Sequence, residues 1–269
     1  GALLDYVENQ GFSALATGHY CIRRKNENSP PELWEGADKN KDQSYFLARI
    51  SKKQLEKARF PIGEMPKPRV RQIAREFNLP VAEKKDSQGI CFLGKVKISE
   101  FLSNFLEDKP GEIVTTHGSV VGEHKGLHRY TLGQRRGIGV PSNTDHENFV
   151  VTGKDEGNNQ LIVAFESEKE STLWGKRFEI ESLSFLTDSP PVSPIRLLGK
   201  VRYRDPSVSL LFRPLGMSKA EIVFDQPQRA ITPGQVLALY EEERLIGGGT
   251  YCLSELGRAD QSLIHEISA

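Results

Sequence analysis

A chain of 269 residues with 37% hydrophobic and 27% charged side chains has the composition of a folded globular protein, not a disordered one. Its length suits two or three domains. The 36 basic residues balance the 36 acidic ones, which argues against a protein coated in positive charge but allows a local basic patch. No apolar run of about 18 residues occurs, so no membrane span is predicted.

The cysteines and the first residues bear on the compartment. Cys21, Cys91 and Cys252 are far apart and odd in number, which excludes a disulfide framework and suits a reducing cytosol. There is no C-x-x-C pair, so no zinc or other metal site is predicted. The N-terminus lacks the features of a secretory signal, and we expect a cytoplasmic protein. Because the chain begins without Met inside a helix-like segment, we also expect a fragment of a longer protein.

The first elements predict an α/β arrangement. A helix over residues 3–9 ends at Gly11, and the apolar run 12–20 between glycines predicts a buried parallel strand. Gly18 and His19 then lie at the carboxyl end of this strand, where ligands of open α/β sheets bind. Gly18 permits close backbone approach of a ligand, and His19 can donate to a phosphate or base. A tight turn with a surface histidine is the alternative interpretation.

A hairpin over residues 20–34 and two helical segments follow. Lys41, Asp42 and Gln43 precede the first helical start at Ser44. They form either a cap cluster or a polar group that faces a nucleotide, since Lys binds phosphate and Gln reads base edges. Residues 68–77 predict an amphipathic helix with an apolar stripe on one side and basic residues on the other.

The stretch Asp86-Ser87-Gln88-Gly89-Ile90-Cys91-Phe92 is turn-prone and carries the second cysteine. Taken alone, Cys91 is either a reactive thiol or a small buried apolar residue. Residues 98–106 predict a helix and 112–121 a hairpin. The segment 124–140 then combines basic side chains, glycines and a tyrosine, a pattern typical of contact with phosphates and bases.

From residue 149 onward, short alternating segments are separated by turn residues. Residues 149–152 and 161–165 predict a hairpin. The regular spacing of the later segments is typical of a small antiparallel barrel or sandwich, with Arg202 and Tyr203 placed on one of its strands. The polar stretch 251–269 is expected to be a helical or disordered tail. The predicted barrel segments are 178–185, 196–203, 208–212, 220–224, 235–240 and 246–250.

Five stretches, in this order, resemble the tRNA-specific 2-thiouridylase family. They are Ala16–Tyr20, Lys41–Leu47, Asp86–Phe92, Tyr130–Gly137 and Ala230–Gln235. The resemblance implies a multidomain α/β plus β protein. Its parts are an incomplete ATP-pyrophosphatase-type (adenine nucleotide alpha hydrolase-like) α/β domain, a small middle domain that binds tRNA and a C-terminal antiparallel β-barrel. The implied boundaries are 1–94, 95–168 and 169–250, with a tail over 251–269.

The same resemblance implies ATP-dependent 2-thiolation of the wobble uridine of tRNA, position 34. Cys91 matches the cysteine that carries the persulfide, and Gly18 matches a backbone contact with ATP. The implied partners are tRNA and a sulfur-relay persulfide donor protein. ATP, with Mg²⁺, is the implied co-substrate, with no prosthetic group, no membrane association and a monomeric state. The positions that match tRNA contacts are His19, Lys41, Asp42, Gln43, Arg202, Tyr203 and Gln235.

The chain departs from the family pattern in one respect. It contains neither the Ser-Gly-Gly-x-Asp-Ser phosphate loop nor a match to the first catalytic cysteine, and Gly247–Gly249 is not followed by the Lys-Ser/Thr of a phosphate loop. We therefore expect the fragment alone to be inactive and residues 1–92 to be less stable than the barrel. Two alternatives stay open: an RNA-binding module made of the middle and barrel domains, and a cysteine hydrolase that uses Cys91 and His19.

Overall fold

A computed structural model describes residues 2–25, 27, 29–84, 101–141, 148–165 and 173–252. They form two compact units, one from residues up to 84, 176–227 and 233 onward, the other from residues within 85–175 and 228–232. The helices are α1 (Ala2–Asn9), α2 (Lys52–Lys57) and α3 (Lys67–Glu76), with 3-10 helices at Ser44–Leu47 and Leu127–Arg129. The strands are β1 (Leu15–Ala16), β2 (Cys21–Arg24), β3 (Glu32–Glu35), β4 (Ala58–Arg59), β5 (Gly111–Thr115), β6 (Val120–His124), β7 (Phe149–Asp155), β8 (Gln160–Phe165), β9 (Trp174–Phe185), β10 (Ile195–Lys200), β11 (Val208–Pro214), β12 (Lys219–Arg229), β13 (Val236–Glu241) and β14 (Arg244–Tyr251).

The first unit contains the predicted antiparallel barrel. Its strands follow one another in the order β13-β10-β11-β12-β9-β14, and pairing of β13 with β14 closes the ring. Inward positions alternate along the strands, so that Leu210, Phe212, Ile222 and Phe224 are fully or almost fully buried. The alternation predicted from the sequence is confirmed, because closure of the ring gives every strand one apolar face.

The predicted hairpin of residues 20–34 is confirmed as β2 and β3, and it extends the sheet of the barrel. Leu33 and Trp34 pair with the first residues of β14, whereas from Gly247 onward that edge of β14 pairs with β9. Gly247 has φ of +153°, and an added Cβ would collide with the backbone of Ser184. Glycine is therefore required where β14 changes partner.

The remaining N-terminal residues form a thinner layer. Strand β1 pairs in parallel with β4, as predicted, but it is only two residues long, and Phe12 of the predicted buried run is 65% exposed. Helix α3 matches the predicted segment, yet none of its residues is buried and the adjacent Phe77 is 73% exposed. The stripe that periodicity marks as apolar therefore faces no core within the described residues.

The predicted strand position of two site residues is wrong. Arg202 and Tyr203 were expected on a barrel strand, but β10 ends at Lys200 and both residues lie in the turn that leads to β11. Arg204 adopts a left-handed backbone with φ of +72°, and Pro206 has no N–H to donate to a ladder. These two residues end the strand early and place the intervening side chains at the rim of the barrel.

The second unit holds a four-stranded sheet in the order β6-β5-β8-β7. The predicted hairpins are confirmed as β5–β6 and β7–β8, while β5 and β8 pair in parallel. Residues 101–106 of the predicted helix over 98–106 are described: 101 and 102 are helical, whereas 103–106 form a turn and a bend, so the helix ends earlier than predicted. Cys91 and nearly all of the 251–269 tail lie outside the described residues. Among the described residues, no helix is long and apolar enough to cross a membrane. The buried core of this sheet includes Ile113, Val151, Leu161 and Val163.

Candidate functional site

The Asp42 carboxylate is the centre of a buried hydrogen-bond network in the first unit. Its Oδ1 accepts from the backbone N–H of Gly36 at 3.0 Å and of Ser44 at 3.1 Å. Its Oδ2 accepts from the Ser44 hydroxyl at 2.9 Å and from Lys200 Nζ at 3.0 Å. Four donors satisfy both oxygens of a side chain that is 6% exposed, so Asp42 fixes the shape of its loop.

Lys200 joins this loop to the barrel. Its ammonium group lies 2.8 Å from Glu35 Oε1 as well as 3.0 Å from Asp42 Oδ2, and the second Glu35 oxygen pairs with Lys39 at 2.9 Å. Burial acts to lower the pKa of Lys200, but the hydrogen bond to Glu35 and the charge of Asp42 outweigh it, and the pKa is raised. The two acidic groups therefore hold Lys200 charged, and the last residue of β10 anchors the loop.

A buried hydroxyl pair completes the network from the other side. Because the Ser44 hydroxyl gives its proton to Asp42, the Tyr240 hydroxyl 3.0 Å away donates to the Ser44 oxygen. Burial raises the pKa of Tyr240, so this tyrosine stays protonated and keeps its donor. The Asp42 loop is thus held by barrel strands β10 and β13 together.

Gln43 connects the same loop to the residue after His19 at the end of the N-terminal strand region, whereas His19 itself contacts other residues. The Gln43 side-chain oxygen accepts from the Tyr20 backbone N–H at 3.1 Å. His19 Nδ1 lies 2.9 Å from the Thr17 hydroxyl, and its ring packs edge-on to Phe60. Burial lowers the pKa of His19, which favours the neutral ring. His19 therefore offers a neutral donor or acceptor rather than a fixed positive charge.

Two cavities flank these elements. A polar cavity of about 260 Å³ has Asp42 and Lys200 at its base and the turn after β10 at its rim. An apolar cavity of about 320 Å³ lies beside His19 and includes Leu15, Leu47 and Phe60. At Gly18 no heavy atom lies within 4 Å of the place a Cβ would occupy, so its backbone is open to a ligand. The polar cavity is lined by Glu35, Lys39, Asp42, Tyr45, Lys200, Tyr203, Arg204, Asp205, Pro206 and Ser207.

The rim of the polar cavity is aromatic and basic. The Tyr203 ring packs against the Phe46 ring with centroids 4.5 Å apart, and the Arg204 guanidinium carbon lies 5.3 Å from the Tyr203 ring centre. Arg202 lies 3.7 Å from Asp205. Tyr45 donates its hydroxyl to the Val236 carbonyl at 2.8 Å, next along the chain from Gln235. Guanidinium groups and aromatic rings in this arrangement suit phosphates and bases.

The predicted site residues thus fall into three groups. Lys41, Asp42 and Gln43 share one loop, and Tyr203 meets Asp42 at the polar cavity. Gly18 and His19 lie on the strand side of that loop, and Cys91 lies outside the described residues. Sequence reasoning missed Glu35, Lys200 and Phe46. Two of them had a local signal in the sequence: Lys200 ends the apolar run of β10, and Phe46 is an aromatic residue three positions after Gln43.

Three family models match successive parts of the chain: "tRNA methyl transferase HUP domain" at residues 1–95, "tRNA methyl transferase PRC-barrel domain" at 99–165 and "Aminomethyltransferase beta-barrel domain" at 175–251. The chain is thus of the class that combines a HUP domain, a middle PRC-barrel domain and a C-terminal antiparallel β-barrel.

Three relatives identify the family within this class to which the chain belongs. Proteins named tRNA-specific 2-thiouridylase MnmA from Akkermansia muciniphila, Proteus mirabilis and Neisseria meningitidis are 43%, 42% and 45% identical to the chain. The alignments cover 93%, 92% and 91% of this chain and 69%, 68% and 66% of those proteins. The chain belongs to the tRNA-specific 2-thiouridylase family, and it spans about two thirds of the length of these relatives.

Proposed function

We propose that this chain binds tRNA and serves the ATP-dependent 2-thiolation of the wobble uridine at position 34. The observation that carries the proposal is the identity of 43% over 93% of the chain to a tRNA-specific 2-thiouridylase. The geometry of the first unit supports it, because Asp42 of the matched polar loop and Tyr203 of the matched Arg202–Tyr203 pair line one cavity. We further propose domain boundaries of 1–94, 95–168 and 169–250, a monomeric state and a cytoplasmic location.

On the RNA side, two of the residues proposed to contact tRNA also set the shape of the loop that carries them. Lys41 and Arg202 supply charge for phosphates, and Tyr203 supplies a ring for a base. Asp42 and Gln43 set the loop through the internal hydrogen bonds described above. We propose tRNA contacts for all five of these residues and for His19 and Gln235, with Asp42 acting mainly through the shape of the loop.

On the nucleotide side, the open backbone at Gly18 fits a contact with ATP, which enters as its magnesium complex and as a co-substrate. In the proposed reaction, ATP adenylates the uridine C2 oxygen and turns it into a leaving group. The terminal sulfur of a Cys91 persulfide then attacks C2 and AMP departs with the C2 oxygen, which leaves C2 joined to Cys91 through two sulfurs. A second cysteine thiolate attacks Cys91 Sγ, so that the S–S bond breaks, the outer sulfur stays on C2 and a disulfide with Cys91 forms. Because the chain contains no Ser-Gly-Gly-x-Asp-Ser loop, we propose that these 269 residues do not thiolate alone.

The RNA-binding half of the proposal is tested by titrating the chain with tRNA at several salt concentrations. Lys41→Ala and Arg202→Ala are expected to weaken binding and to lower the slope of log K against log salt by about 1 each. Lys219→Ala, on the exposed side of β12, is the matched control and leaves the slope unchanged. Equal effects of all three variants, or no binding by the unaltered chain, would contradict the proposal.

The Cys91 half is tested by sulfur transfer from a low-molecular-weight or protein persulfide. Thiolate exchange moves the terminal sulfur to Cys91 and releases the donor as a thiolate. Mass spectrometry of the peptides is expected to find the added sulfur on Cys91 and to lose it in Cys91→Ser. Cys21 and Cys252 are internal controls, since burial raises the pKa of both thiols. Sulfur found on Cys21 or Cys252 in place of Cys91 would refute the assignment.

A second candidate function is an RNA-binding module without catalytic activity of its own. It is favoured by one observation: the Asp42 loop is anchored on the barrel through Lys200 and Tyr240. Tight tRNA binding with no sulfur uptake at Cys91 would select this alternative. Sulfur uptake at Cys91 from a relay protein would select the sulfurtransferase.

A further inference from the structure

Phe46 is an aromatic side chain that the fold holds outward. It is 54% exposed although its 3-10 helix is firmly anchored on both sides. Ser44 is fully buried in the Asp42 network, and the Tyr45 hydroxyl donates to the Val236 carbonyl of the barrel at 2.8 Å. Exposure of Phe46 therefore comes from a rigid support and not from a loose segment, although placing such a ring in water forfeits the favourable free energy of burial.

The exposed ring has an aromatic partner from a distant part of the chain. The Phe46 and Tyr203 centroids are 4.5 Å apart with an angle of 41° between the planes, and Tyr45 meets Phe46 edge-on at 5.7 Å. Arg204 lies over the Tyr203 ring, and Arg202 precedes it in the same turn. The Phe46 ring thus packs on Tyr203, which lines the polar cavity, next to guanidinium groups that can pair with phosphate.

We propose that Phe46 and Tyr203 form a stacking platform for one unpaired base of the bound RNA, with Phe46 supplying the free ring face. The inference rests on the proposed tRNA binding and adds a residue and a contact type to it. Every base has a flat π face, so an aromatic platform beside cationic groups binds single-stranded RNA without reading its sequence. The guanidinium groups of Arg202 and Arg204 beside the rings favour a polyanion such as RNA over an apolar protein segment, which carries no charge complementary to them.

The test uses the whole chain and an RNA hairpin with a loop of anticodon size, measured by fluorescence anisotropy. Phe46→Ala and Phe46→Leu are expected to weaken hairpin binding about 5- to 100-fold, because stacking on an aromatic ring is lost in both. Phe46→Trp is expected to keep the affinity. Phe77→Ala is the matched control, since Phe77 is also exposed, belongs to the same unit and lies at the end of α3.

A second experiment identifies which loop nucleotide stacks on Phe46. Loop nucleotides of the hairpin are replaced one at a time by abasic residues. With the unaltered chain, one position is expected to lose about as much affinity as Phe46→Ala does. With the Phe46→Ala chain, the same abasic position is expected to cost nothing further, because the two changes remove one contact. The salt slope is expected to stay unchanged in Phe46→Ala, since no phosphate contact is lost.

The outcomes separate this inference from the function on which it rests. If Phe46→Ala and Phe46→Leu bind like the unaltered chain while Lys41→Ala and Arg202→Ala bind more weakly, the platform is wrong and tRNA binding stands. If the unaltered chain does not bind the hairpin, both are wrong. Equal losses in Phe46→Ala and Phe77→Ala also overturn the platform. Circular dichroism of each variant checks the fold, and the Leu variant preserves apolar packing at position 46.

Discussion

The barrel and the N-terminal α/β layer lie in the same unit but differ in how much apolar surface they bury. The barrel closes on itself, and the side chains of Phe212, Leu237 and Leu239 are fully buried. The α/β layer outside the β2–β3 hairpin has a parallel ladder of two residues per strand, and α3 has no buried residue. The loop of Lys41–Gln43 is anchored on the barrel, which buries much apolar surface. Gly18 and His19 lie in the N-terminal α/β layer, which buries little.

The largest expected consequence is a difference in local stability. Amides of β11, β12 and β13 are expected to exchange only through global unfolding, while those of α1, β1 and α3 open locally. Protection factors are therefore expected to differ by about a thousandfold or more, given that global stability is typically 5–15 kcal/mol. Hydrogen exchange read by mass spectrometry or NMR measures this directly. Equal protection in the two halves would break the comparison.

Paired phenylalanine truncations sharpen the same contrast. Phe212→Ala empties a fully buried site that packs edge-on to Phe185, and it is expected to lower the free energy of unfolding by about 3–5 kcal/mol. Phe77→Ala changes a ring that is 73% exposed and is expected to cost less than about 0.5 kcal/mol.

Urea denaturation followed by tryptophan fluorescence is the measurement for this pair. Trp34 and Trp174 lie on strands β3 and β9, so both of the chain's tryptophans report on the barrel sheet. A large loss in Phe77→Ala would show that the α3 surface is covered in solution and would weaken the comparison.

The next largest expected effect is the loss of stability when Lys200, which joins the barrel to the Asp42 loop, is replaced. Lys200→Met keeps the length of the side chain but removes the cation, leaving Glu35 and Asp42 without their shared partner. Removal of one member of a buried ion pair costs about 3–5 kcal/mol, and we expect roughly 2–3 kcal/mol here because 13% of the Lys200 side chain stays exposed and both carboxylates keep other donors. Lys219→Met, on an exposed strand position, is expected to change stability by less than about 0.5 kcal/mol.

The pH dependence of this effect has a defined sign. The raised pKa of Lys200 means that its contribution is fully present below the lysine pKa of the unfolded chain, about 10.4. It is lost as pH rises through the higher pKa of the folded state. The stability difference between the unaltered chain and Lys200→Met is therefore expected to stay constant near neutrality and to shrink at strongly alkaline pH. A difference that grows with pH would contradict the ion-pair role.

Much of the barrel could be predicted from local patterns, but its connections could not. Alternation predicted β9 to β14 because each strand has one buried face. It could not predict that β3 would pair with β14, since those residues are about 200 positions apart and no local signal fixes the pairing. Strand β10 was predicted too long because apolar alternation continues through Val201, whereas the backbone of Arg204 and Pro206 ends the ladder.

The candidate site was predictable where a family motif covers it. Lys41–Gln43 and Arg202–Tyr203 were identified from their resemblance, and the structure brings Asp42 and Tyr203 to one cavity. Lys200 and Glu35 fall outside those motifs. A charged residue on a strand usually faces water, so only the fold shows that this lysine lies between two carboxylates. Phe46 lies inside a motif, but only the fold shows that its ring is exposed and packs on Tyr203.

The smallest expected effect belongs to His19 in the thin half. Burial lowers the pKa of His19, so on acidification the unfolded chain takes up a proton near pH 6.5 and the folded chain does so only at lower pH. Folding stability therefore falls as pH drops through this range, and His19→Gln is expected to fall less steeply than the unaltered chain. The two should match most closely at pH 8, where both states hold a neutral ring. An NMR titration of the His19 ring is expected to give a midpoint below the ordinary histidine value. A midpoint above the ordinary value would show that His19 is exposed and paired with an acid. The α/β layer would then hold His19 less tightly than its contacts with Thr17 and Phe60 indicate.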